Sequence, residues 1–72
     1  MNQPVDDDRI IYEFYTVGTY VKVSAIDPRT LVEVSIVGDP KRGETALRQA
    51  ALQKLRYVLA KRDKPDPRGR LV

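Results

Sequence analysis

The residues with the best claim to chemistry lie between Gly38 and Thr45, where GDPKRGET has the glycine spacing of a phosphate-binding loop, GxxxxGK[ST]. In such a loop the backbone amides cradle the phosphates and a lysine reaches them. Here Glu44 stands at the lysine position, and its charge repels phosphate. The motif also belongs to a parallel βαβ sheet, which a chain of 72 residues is too short to build around it. Gly38 and Gly43 are therefore read as a strand exit and a helix start. Lys22 and Ser24 stand two apart on one strand and share a face, as a serine–lysine nucleophile pair does. Strand neighbours on one face lie about 6–7 Å apart at the backbone, so contact is not automatic. With neither a glycine-rich oxyanion loop nor a third orienting group in the sequence, Ser24 reads as an outward strand residue. The run Asp6-Asp7-Asp8 lacks the interleaved spacing of a calcium loop.

Composition narrows the chemistry further. There is no histidine and no cysteine, which removes the commonest general base, the thiolate nucleophile and the disulfide staple. No enzyme activity, metal site or cofactor is expected. A chain this small buries only about 60% of the surface its unfolded form exposes, so a monomer is expected to be marginally stable. No apolar run approaches the ~20 residues that span a bilayer, and MNQPVDDDR is acidic where a signal peptide is basic. The expected compartment is the cytoplasm, with no membrane partner. The formal charge of +3 conceals a polarity: residues 1–40 carry a net −4 and residues 41–72 a net +7.

Those side chains need a scaffold, and its centre is Tyr20 to Val37, YVKVSAIDPRTLVEVSIV. Val21, Val23 and Ala25 alternate with Lys22 and Ser24. Val32, Val34 and Ile36 alternate with Glu33 and Ser35. A period of two marks a half-buried strand. Between the runs, Asp27-Pro28-Arg29-Thr30 forms a tight turn: Pro28 presets φ for the first corner and Asp27 bonds the backbone ahead of it. Ile10 to Val17 is rich in aromatic and β-branched residues and reads as the first strand, with Val17-Gly18-Thr19 as a hairpin connection. From Glu44 the period becomes helical, with Leu47, Ala51, Leu52, Leu55, Val58 and Leu59 inside a sector of roughly 140°. Glu44 at its start and Lys61 and Arg62 at its end suit the helix dipole, and Pro65 and Pro67 forbid continuation.

The expected fold is α+β: a three-stranded antiparallel meander (about 10–17, 19–26 and 31–37) followed by one amphipathic helix (about 44–62), in two layers of order β-β-β-α. Residues 1–9 and 63–72 read as a disordered acidic start and a disordered basic tail flanking the single domain 10–62. With the helix covering Val21, Val23, Val32, Val34 and Ile36, the other sheet face carries Tyr20, Ile26, Leu31 and Val37, joined by one side of the first strand, assigned to Tyr12 and Phe14. That face is more apolar than a solvent-facing sheet. It points to a protein partner, most simply a second copy, and to a non-catalytic homodimeric interaction or regulatory module. The alternative is a nucleic-acid-binding accessory protein that contacts phosphates through Lys54, Arg56, Lys61 and Arg62 and the tail residues Lys64, Arg68 and Arg70.

The segment EFYTVGTYVKVSAIDPRTLVEVSIVGDP, followed by LRQAALQKLRYVLAKR, resembles a family of short uncharacterised bacterial proteins, mostly alphaproteobacterial, classed as a domain of unknown function. The likeness spans about residues 12–62 and rests on YVKVSAIDP, then EVSIVG, then a helix ending KLxYVL. It implies a small α+β domain and self-association, with no activity, ligand or functional residue attached. In the family's pattern glycine follows the Asp-Pro-Arg-Thr turn, and here Leu31 stands there. Either the turn takes another geometry or Leu31 carries a strained positive φ. A strained hinge invites strand exchange, so the expected homodimer is domain-swapped if the turn opens.

Overall fold

The computed structural model describes residues 9–62. Three strands, β1 (Ile11–Val17), β2 (Tyr20–Ile26) and β3 (Glu33–Gly38), form an antiparallel sheet in the order β1-β2-β3. A 3-10 turn at Pro40–Arg42 leads into one helix, α1 (Glu44–Arg62). This is the α+β meander and C-terminal helix that the periodicity requires, with the helix bounds as expected and each strand within two residues of its expected limits. The segments 1–8 and 63–72, expected to be disordered tails, lie outside the described residues, as do Asp6-Asp7-Asp8 and the basic tail side chains.

Each connection follows from its turn chemistry. Val17 pairs with Tyr20, so Gly18 and Thr19 are the whole β1–β2 loop. Gly18 sits there at φ +59°, the first central position at which a II′ connection takes glycine. Strand β2 leaves the sheet into the turn at Asp27, which is almost fully buried. One Asp27 carboxylate oxygen accepts the Arg29 amide at 2.9 Å and the other accepts the Thr30 hydroxyl at 3.2 Å. The Thr30 hydroxyl oxygen in turn accepts the Val32 amide at 3.3 Å. The backbone closes the loop with the Leu31 amide donating to the Asp27 carbonyl at 2.7 Å and the Asp27 amide to that of Val32 at 3.0 Å. After β3, the Asp39 carboxylate accepts the Lys41 amide at 2.9 Å and starts the 3-10 turn. The Gly43 carbonyl then accepts the Leu47 amide at 3.1 Å, opening α1. Gly38 and Gly43 are thus strand exit and helix start, as read.

Strand parity sorts the sheet into two faces. The register pairs Tyr12 with Ala25, Phe14 with Val23 and Thr16 with Val21 on one side, and carries on to Val34, Ile36 and Gly38 of β3. This face meets α1. The core is Ile10, Val21, Val23, Ala25 and Val34 from the sheet side with Leu47, Ala51, Leu52 and Leu55 from the helix. Val23 and Leu55 are fully enclosed, each contributing about 1.5–3 kcal/mol by leaving water. The helix rests on β2 and β3, approaching so closely at its start that a Cβ on Gly38 would stand 2.5 Å from Leu47 Cδ2. Phe14 and Tyr12, further out on β1, are only half-buried against this core.

Candidate functional site

Among the described residues the group most able to engage another molecule is the sheet surface that α1 leaves uncovered. Read across the strands it has four rows: Val17 and Tyr20; Tyr15, Lys22 and Val37; Glu13, Ser24 and Ser35; Ile11, Ile26 and Glu33. Ile11, Tyr15, Val17, Tyr20 and Val37 are all exposed, Tyr15 at 56% and Val37 at 63%. Tyr15, Val17, Tyr20 and Val37 lie toward the β1–β2 loop, whereas Ile11 stands at the other end, beyond the polar row of Glu13, Ser24 and Ser35.

Tyr20, Ile26 and Val37 stand on this face, where the alternation placed them. Three other residues assigned to it stand elsewhere. Leu31 belongs to the turn, because β3 begins only at Glu33, and it projects into solvent at 79% exposure. Tyr12 and Phe14 lie on the helix side, since the register opposes them to Ala25 and Val23. Ile11, Tyr15 and Val17 take their place on the open face. The sequence holds the signal for this: once Val17 and Tyr20 are fixed as the pair flanking Gly18-Thr19, counting back by twos gives the parity of every β1 residue.

Ser24, Lys54 and Lys61 are engaged within the chain. Ser24 bonds Ser35 across the strand pair, Oγ to Oγ at 3.0 Å, rather than Lys22. Ser24 is outward by parity yet only 2% exposed, because a short side chain between Glu13, Lys22 and Ser35 is covered by its neighbours. The basic side chains of α1 do not form one stripe. Lys54 donates from Nζ to the Ser35 carbonyl at 2.7 Å, and Lys61 lies over the Tyr57 ring at 5.6 Å. Arg56 is exposed on the other flank of the helix, about 200° around from Lys54 at 100° per residue. Arg48 sits above the Tyr12 ring at 5.9 Å, on the β1 side. Among the described residues there is no cluster of three or more metal-ligating side chains. Among the described residues no helix is long and apolar enough to cross a membrane.

Residues 7–62 match the model of a family described as a domain of unknown function (DUF6898). The chain belongs to that family. The match covers the whole sheet and helix, so the β-β-β-α unit described above is the DUF6898 domain of this chain. No curated protein and no solved structure matches the chain.

Proposed function

We propose that this DUF6898 chain is a non-catalytic interaction or regulatory module that works in the cytosol as a homodimer. The observation that carries the reading is the exposure of Tyr15, Val17, Tyr20 and Val37 near one another on the side of the sheet away from α1. Scattered apolar residues are normal on a small protein, whereas a contiguous group on a flat sheet marks a contact surface. The hydroxyl bond between Ser24 and Ser35 supports the non-catalytic part, because it occupies the only serine with a lysine neighbour on its strand face.

The reading is tested by the mass of the chain in solution, measured by light scattering over a tenfold range of concentration, with and without a short nucleic acid. A dimer indifferent to nucleic acid is the expected result, and changing Lys54, Arg56 and Lys61 together to glutamine should leave it unaltered. A monomer that gains mass only on adding nucleic acid, with steep salt dependence, would overturn the proposal in favour of phosphate contacts by the basic helix.

A further inference from the structure

We infer that two copies join edge to edge through β1, antiparallel and centred on Phe14, to make one six-stranded sheet with both helices on the same side. This rests on the self-association reading and says where the second copy sits. The two outer strands of the sheet are differently protected. At β3 a lysine head group, Lys54, is anchored on the backbone at Ser35, and charged groups on an edge keep other strands away. Among the described residues no lysine is anchored in this way on the backbone of β1. This strand is seven residues long, pairs one-to-one with β2 without a bulge, and contains no proline and no lysine. Its sequence IYEFYTV is aromatic and β-branched with one charge, Glu13. A long, unbulged, apolar edge of this kind is a template for another strand.

Parity restricts how two β1 strands can meet. For both helices to lie on one face, even-numbered residues must oppose even-numbered ones, so the two-fold axis passes through a residue rather than between two. Centring on Phe14, the midpoint of Ile11–Val17, gives the full overlap, and any other such register shortens it. In this register Glu13 faces Tyr15 of the second copy, whereas centring on Glu13 would set like charges directly opposite, which is destabilising. On the helix side the two half-buried Phe14 rings become cross-strand neighbours and cover each other. The α1 helices rest on β2 and β3, and the helix side chain over β1, Arg48, stands on Tyr12, which opposes Thr16 rather than Phe14 in this register. On the other side Ile11 meets Val17 of the second copy, with Glu13 and Tyr15 of the two copies alternating between those ends.

The chain contains no cysteine, so a single introduced one reports its own position. Directly opposed antiparallel residues have Cα atoms about 4.5–5.5 Å apart, within disulfide reach. Under mild oxidation Phe14→Cys should convert largely to covalent dimer. Thr16→Cys, whose opposite is Tyr12 of the second copy, should not, and neither should Val37→Cys on the open face. In the unmodified chain, alternate β1 amides should lose their fast hydrogen exchange as concentration rises through the dimerisation range. This readout stands even if Phe14→Cys fails to fold. A dimer in which β1 amides keep exchanging fast and Val37→Cys cross-links would overturn edge pairing and leave self-association intact. A monomer throughout would overturn both.

Discussion

Leu31→Gly is the substitution whose effect the structure specifies most directly. Leu31 has φ +64°, alone among the described non-glycine residues in having a positive φ. The turn demands this: the Leu31 amide must reach back to the Asp27 carbonyl while the chain reverses into Val32. A side chain with a Cβ costs about 1–2 kcal/mol in that region. Glycine removes this cost but gives back about 0.5–1 kcal/mol through its greater freedom in the unfolded chain. Leu31 buries only about a fifth of its surface, worth roughly 0.4 kcal/mol against ~1.5–3 for a fully buried leucine. The expected net is about 0.5 kcal/mol of added stability, or a rise in Tm of about 2–4 °C for a domain of this size. Leu31→Ala is the control, because alanine keeps the strain and loses the burial. The glycine variant should exceed it by about 1 kcal/mol in denaturant unfolding, with all chains held at one concentration because dimerisation adds apparent stability. A glycine variant no more stable than the alanine variant would refute the strain argument. Mass measured on the same samples tests strand exchange through this turn. A dimer that persists in Leu31→Gly does not draw on the strain, whereas one that dissociates is domain-swapped at this hinge.

Asp27→Ala should lose about 2 kcal/mol in denaturant unfolding, because it leaves the Arg29 amide and the Thr30 hydroxyl without their buried acceptor. Asp27→Asn keeps one acceptor oxygen and should lose less. Gly38→Ala should cost about 1–3 kcal/mol, since the new methyl would sit 2.5 Å from Leu47 in a packed site. Combined with Leu47→Val, the loss should fall short of the sum of the two single changes, the mark of residues in contact.

Most of the fold is legible because each local rule points the same way. Alternation in β2 and β3, the 3.6-residue period of α1 and the Asp27-Pro28 turn are separate signals, and the structure satisfies all of them together. Leu31 was marked by the resemblance, as a residue standing where the family's pattern has glycine, and its positive φ is the strained of the two outcomes left open there. Its place off the sheet face was not legible, because Leu31-Val32 extends the alternation of β3 while the turn's own hydrogen bonds hold both residues outside the strand. Ser24 shows a second limit. Parity gives the direction of a side chain, but its burial depends on the size of its cross-strand neighbours, which only the register identifies.

The misplacement of Tyr12 and Phe14 has a different origin, and it bears on what β1 is for. A strand with one buried face writes alternation into its sequence, as β2 does. In β1 the apolar residues Ile11, Tyr12, Phe14, Tyr15 and Val17 fall on both parities, so the sequence offers no preferred face. Runs of that kind belong to strands covered on both sides. In the single chain neither face of β1 is fully covered, for the helix side is half-buried and the other exposed. The composition of β1 therefore exceeds what its place at the edge of an isolated sheet requires. Pairing through β1 would meet half of the mismatch, since it turns the edge into the centre of a six-stranded sheet and gives the Phe14 side a cover, while the Tyr15 side stays exposed. If the β1 amides prove unprotected in solution, the mismatch must instead be met by a partner that covers the open face directly.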